Sequence, residues 1–209
     1  GVGEGTAREL HTLADLRARN PKASAPEAWK AHYLIVRRLI RRLMLRHPLL
    51  NFDDLLVTKR VPGTFCHMSD QYYGWWSSPG GGIHVLRSFA SDTPSIIPLT
   101  ENLFDAPGNV VRPMISHDGR RVLFSWCRYY PTLSQERNKL AKGNVPEDAF
   151  YHVFEMNIDG TGLRQLTRGK YDDFDARYLA DNRIVFLSTR RGQAIQCGQQ
   201  HNQIGRAHV

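Results

Sequence analysis

Ser116-His117-Asp118-Gly119-Arg120-Arg121-Val122-Leu123-Phe124-Ser125 and Leu179-Ala180-Asp181-Asn182-Arg183-Ile184-Val185-Phe186-Leu187-Ser188 are the two stretches whose comparison decides the fold. Each is a polar turn followed by an apolar strand that ends in Ser. Asp and Gly suit such turns, because Asp bonds its own backbone and Gly accepts a positive φ. The matched Phe124 and Phe186 lie 62 residues apart. A second element also recurs. Ile83-His84-Val85-Leu86 leads to Leu99-Thr100, and His152-Val153-Phe154-Glu155-Met156 leads to Leu166-Thr167, with the Leu-Thr pairs 67 residues apart. Leu55-Leu56-Val57-Thr58 reads as an earlier copy of the strand without its turn.

Working outward, everything after residue 50 has strand-and-turn grammar: short apolar runs between clusters of Gly, Pro, Asn and Asp. Strands are expected at 55–59, 83–86, 122–126, 152–157 and 183–188, with shorter ones at 96–100 and 163–167. The polar stretch 128–149, with Pro131 and Pro146, reads as an insertion between strands. With it removed, the spacing approaches the ~40 to 50 residues of a repeated all-strand unit, which is the signature of propeller blades. The first 50 residues differ. Residues 6–19 have helical composition with Leu10, Leu13 and Leu16 on one side, and Asn20-Pro21 ends the segment. A second helix is expected from Pro26 to about His47, stopped by Pro48. Its apolar face is read as Trp29, Tyr33, Val36, Ile40 and Leu43, with Arg37, Arg38, Arg41, Arg42 and Arg46 in water.

The 209 residues include 41% hydrophobic and 10% aromatic residues, enough for a packed core, which excludes wholesale disorder. No apolar run approaches the ~18 residues of a membrane span. The formal charge of +8 is concentrated in the second helix, and no nucleic-acid motif accompanies it. Cys66, Cys127 and Cys197 are too few and too scattered for a disulfide framework. Residues 204–209, Ile-Gly-Arg-Ala-His-Val, read as the translation of a sequencing adapter and are set aside, so the natural chain is expected to continue past about Gln203.

Two further stretches narrow the fold. His47-Pro48-Leu49-Leu50-Asn51-Phe52-Asp53-Asp54-Leu55-Leu56-Val57-Thr58-Lys59-Arg60 precedes Phe65-Cys66-His67-Met68-Ser69-Asp70-Gln71-Tyr72-Tyr73-Gly74-Trp75 and Pro79-Gly80-Gly81-Gly82-Ile83. With the repeats, in which Asp159-Gly160 and Leu166-Thr167 close one unit, this arrangement resembles the middle domain of hydrazine synthase alpha-subunit-like proteins of planctomycete-like bacteria, built from TolB-type repeats. The resemblance covers roughly residues 30–200. It implies a mainly β fold: a partial β-propeller of about three TolB-like blades at 51–203, preceded by N-terminal α-helices at 1–50. Three blades cannot close a ring, so the isolated chain is expected to aggregate through its open ends.

The resemblance also implies a setting: a periplasmic or exported multidomain protein, with haem c or a transition metal in the full-length chain. Haem attachment needs Cys-x-x-Cys-His, and the position three before Cys66 is Gly63, so this stretch carries no attachment motif and no cofactor is assigned to it. Cys66, His67 and Asp70 are the candidate metal ligands, since thiolate, imidazole and carboxylate all bind transition metals, with His84 as a further ligand. The competing, structural reading is a buried small residue, a backbone-bonded imidazole and a turn cap. Tyr72, Tyr73 and Trp75 are the candidate cofactor-binding residues, able to stack on a ligand or to pack a blade edge. Gly80-Gly81-Gly82 reads as a flexible turn. Asp172, Asp173 and Asp175 lack the spacing of a calcium loop and read as ordering an inter-blade turn. No catalytic residue is assigned. The expected role is a non-catalytic binding or scaffold segment that contacts neighbouring domains or a protein partner, without nucleic acid and without a transmembrane segment. The alternatives are a redox enzyme component related to hydrazine synthase and a TolB-like periplasmic interaction protein.

Overall fold

The computed structural model describes residues 4–19, 26–62, 74, 77–135, 142–190 and 203–207. Two helices, α1 (Glu4–Ala18) and α2 (Pro26–Leu45), precede ten strands: β1 (Leu55–Arg60), β2 (Gly81–Arg87), β3 (Ser95–Pro98), β4 (Gly108–Ile115), β5 (Arg121–Arg128), β6 (His152–Asn157), β7 (Arg164–Gln165), β8 (Asp173–Tyr178), β9 (Ile184–Ser188) and β10 (Gln203–Ala207). The strands form three antiparallel sheets in chain order, β1-β2-β3, β4-β5-β6-β7 and β8-β9-β10, and none of them closes on itself. The chain divides into two compact units, residues 1–55 with 86–95, and residues 56–85 with 96–209.

In the first unit, α1 turns Thr6, Glu9, Leu13 and Leu16 to its half-buried side, while Leu10 is exposed. Arg46, just after α2, reaches back to Glu9 at 2.8 Å and to Thr6 Oγ1 at 3.1 Å. The inward stripe of α2 is His32, Val36, Leu39, Ile40 and Leu43. Trp29 and Tyr33, expected on that face, are exposed instead. Phe52 stacks on Phe89 with ring centroids 4.8 Å apart.

The second unit is built on repetition. The β4–β5 and β8–β9 hairpins carry the same bulge: the register shifts between Val111 and Met114 in one and between Phe174 and Arg177 in the other. The left-handed residues are Arg112 and Asp175, 63 residues apart. The turns match as well. Gly119 N–H donates to Ser116 O at 2.9 Å and Asn182 N–H to Leu179 O at 3.0 Å, while the Asp118 and Asp181 side chains accept from Arg120 N and Arg183 N. Ser116 N–H then pairs with Arg121 O, but Leu179 N–H pairs with Arg183 O, so the second turn is one residue shorter. The offset therefore falls from 63 on the entry strand to 62 on the exit strand. Phe124 and Phe186 are true equivalents, whereas Ser125 corresponds to Leu187 and not to Ser188.

The Leu-Thr pairs close both units identically. Leu99 N–H donates to Ile83 O and Leu166 N–H to Val153 O, each at 2.8 Å. The Thr100 and Thr167 hydroxyl oxygens accept the Ile83 and Val153 N–H, each at 2.9 Å. Both threonines are buried. Replacing either with Val keeps the shape and removes the acceptor. We expect Thr100→Val and Thr167→Val each to cost about 1–3 kcal/mol, read as a lower urea midpoint, with Thr→Ser close to wild type.

Stacking of the sheets follows the repeat. Val122, Phe124 and Trp126 of β5 pack with Ile83, Leu56 and Leu99 of the first sheet, together with Phe104, which stacks on Trp126 at 4.0 Å. Leu123 of β5 and Val153 of β6 pack on the other side with Ala176, Tyr178, Ile184 and Phe186 of the third sheet. The central sheet is thus buried on both faces. Each of the later two sheets also offers equivalent residues, Val122 with Phe124 or Ile184 with Phe186, to the sheet before it. Glu155 adds a polar tie, bonded to Arg164 at 2.6 Å, Arg121 at 3.3 Å and the Tyr178 hydroxyl at 2.8 Å.

Several expectations are corrected here. β4 and β8 were not expected, and the acidic stretch read as a turn is largely strand β8. Gly81 and Gly82 begin β2 rather than forming a turn, and a Cβ on Gly81 would lie 2.0 Å from Lys59 O. Residues 204–207 pair with β9 as part of β10, which does not bear on their origin, since an edge strand pairs through backbone groups that any sequence carries. Within the 128–149 insertion, Leu133, Val145 and Ala149 form a small core with Phe150.

Candidate functional site

Cys66, His67, Asp70, Tyr72, Tyr73 and Trp75 all lie outside the described residues. What is described is the anchorage of Gly74 and Ser77. Gly74 N–H donates to Asp172 Oδ1 at 2.9 Å, and the same oxygen accepts Tyr151 N–H at 3.0 Å. A Cβ on Gly74 would lie 2.0 Å from the Ala149 carbonyl oxygen, so only glycine fits this close approach. Ser77 N–H donates back to Gly74 O at 2.9 Å. The Cys127 thiol donates to Ser77 Oγ at 3.3 Å and lies 3.8 Å from Gly74 O. Asn109 Nδ2 donates to the Tyr151 hydroxyl at 2.9 Å.

This is a buried polar cluster: Asn109, Cys127, Tyr151 and Asp172 are all fully enclosed. The repeat places it. Asn109 and Cys127 are paired across β4 and β5, and at the equivalent positions of the next hairpin stand Asp172 and Thr189. Those two exchange Asp172 N–H to Thr189 Oγ1 at 3.0 Å and Thr189 N–H to Asp172 O at 3.1 Å. Sequence reasoning missed Asn109, Tyr151 and Thr189. The signal that finds them is the hairpin register, which is hidden until the bulge is known.

Burial sets the chemistry of the cluster. It pushes the Cys127 thiol up to about 12, only partly offset by the hydrogen bond to Ser77. It likewise holds the Tyr151 phenol well above its ordinary value. Cys127 is therefore a protonated, enclosed thiol at neutral pH, unsuited to nucleophilic attack. Nearby His152, whose Nε2 lies 3.0 Å from Glu147 O, is held below its ordinary value, first by burial. The three aspartates serve different partners. Asp172 takes backbone N–H groups, Asp173 binds Ser188 Oγ and Arg190 at 2.6 Å each, and Asp175 pairs with Arg177 at 2.8 Å. Among the described residues, no three His, Cys, Asp or Glu side chains are grouped to hold a metal ion.

The first sheet carries an open cleft of about 380 Å³ lined by Lys59, Gly81, His84, Ile96, Pro98, Thr100 and Glu101. His84 Nδ1 lies 3.1 Å from Gly82 O. A carbonyl only accepts, so Nδ1 carries a proton. The cleft thus brings an ammonium, a carboxylate and an imidazole together. No helix among the described residues is long and apolar enough to cross a membrane. No family model matches the chain, and no curated protein matches it.

Proposed function

We propose that this chain is a non-catalytic binding or scaffold segment: a partial β-propeller of about three TolB-like blades within a larger, exported protein resembling the hydrazine synthase alpha subunit middle domain. One observation carries the reading. The β4–β5 and β8–β9 hairpins repeat the same bulge and turn and lay the same face on the preceding sheet, and the first two sheets share the Leu-Thr closure, as blades do. The enclosed state of Cys127 favours a structural role over a catalytic one for that cluster. A second reading, a redox component holding a metal through Cys66, His67 and Asp70, draws on His84, which lines the cleft of the first sheet.

One experiment tests both readings. The full reading frame should be recovered, and its product purified, imaged and analysed for metal and haem. A ring completed by further sheets of the same kind, without bound metal, is the expected result. A product whose added segments do not continue the stack would overturn the propeller. Stoichiometric metal lost on replacing Cys66 and His67 would overturn the purely structural role.

A further inference from the structure

We propose that the outward side of α2 is a docking groove for an acidic, leucine-bearing peptide segment of a partner protein. The proposal goes beyond the reading above and does not depend on the sheets forming a propeller. It begins with the two faces of the helix. His32, Val36, Leu39, Ile40 and Leu43 take up the inward stripe, and on the far side Leu34, Arg37, Arg38, Arg41, Met44 and Leu45 line a groove of about 350 Å³ with Ile40 and Leu50. Met44 is 65% exposed and Leu34 is 41% exposed, so the apolar floor is uncovered.

Charge chooses the occupant. α2 holds one acidic residue, Glu27, against Lys30, Arg37, Arg38, Arg41 and Arg42. Arg41 is committed to the carbonyls of Ala90 and Ser91, at 3.3 and 2.9 Å. Arg37, Arg38 and Arg42 form no ion pair among the described residues. An apolar floor rimmed by unpaired guanidinium groups complements a helix or extended segment that alternates leucine with carboxylates. A bilayer fits less well. The continuous apolar stripe of α2 is turned inward, and on the outer side the arginines stand among the leucines, so a membrane would have to admit both together.

The test uses the full chain and a fluorescein-labelled synthetic helical peptide with Leu on one face and Glu beside it, followed by anisotropy. Saturable binding is expected, weakened by about tenfold or more in Arg37→Glu/Arg38→Glu and again by added salt. Met44→Asp should weaken binding with unchanged circular dichroism, because that side chain makes little contact with the fold. A matched peptide with Lys in place of Glu should not bind. The proposal is overturned if no saturable binding is seen, if the Lys peptide binds equally, or if the charge reversals leave affinity unchanged. Sedimentation with phosphatidylserine vesicles that depends on Arg37 and Arg38, without peptide binding, would assign the groove to a membrane instead and so overturn it as well.

Discussion

Asp172→Ala should lower the unfolding free energy by about 4 kcal/mol, with a fall in melting temperature of about 10 °C for a chain of this size. The carboxylate is fully enclosed, and one of its oxygens accepts two backbone N–H groups from separate segments, Gly74 and Tyr151. Alanine removes the acceptor and leaves both donors buried and unmade, each costing about 1–3 kcal/mol. Asp172→Asn keeps one oxygen and should cost about half as much. Urea titrations with an unchanged slope would measure this directly. A loss under about 1 kcal/mol for the alanine variant would mean that solvent already reaches the site.

Alkaline pH should have an effect of similar size. In the unfolded chain the Cys127 thiol ionises near 9.0, but in the fold it keeps its proton to about 12. Between those values unfolding releases a proton, so raising the pH favours the unfolded state. The contribution is complete below about pH 8 and is lost progressively from about 9 to about 12, reaching about 4 kcal/mol. Tyr151, raised by the same burial, acts in the same direction at higher pH. Urea midpoints measured across this range should fall, and Cys127→Ala should flatten the slope. In a Cys66→Ser/Cys197→Ser background, Ellman's reagent should react with the remaining thiol only at the rate of unfolding. Fast reaction in the native state would contradict the enclosure on which the shift rests.

Much of this architecture was legible because its repeats are written in turn chemistry. Asp118-Gly119 and Asp159-Gly160 each make a local backbone bond, which leaves a local sequence signature, and the two Leu-Thr pairs make the same bond to the strand before them at similar spacing. The strands with uniform apolar character, β5 and β6, were also plain. β4 and β8 were not, for a common reason. Each contains a bulge with a left-handed non-glycine residue, Arg112 followed by Pro113 or Asp175 between Asp173 and Arg177, and the bulge breaks the alternation by which strands are read. The one-residue difference between the two turns shifted the matching of Ser125 by one position, since a repeat read by letters cannot show which strand absorbed the change. The polar cluster was hidden for the same reason. Asn109, Cys127, Asp172 and Thr189 have unrelated side chains and become equivalent only through the ladder of hydrogen bonds. The outer side of α2 was misassigned where Trp29 and Tyr33 continued the heptad-like spacing past the point at which the helix has a neighbour to pack on.

The order in which these sheets rest on one another has a consequence for biogenesis. The β4–β5 and β8–β9 hairpins each condense against a sheet already synthesised, so for them the nascent polypeptide has a template ready and need not wait for its own downstream portion. Gly74 is the exception. Its tether, Asp172, emerges from the ribosome 98 residues later, so Gly74 is fastened only as the third sheet begins to arrive.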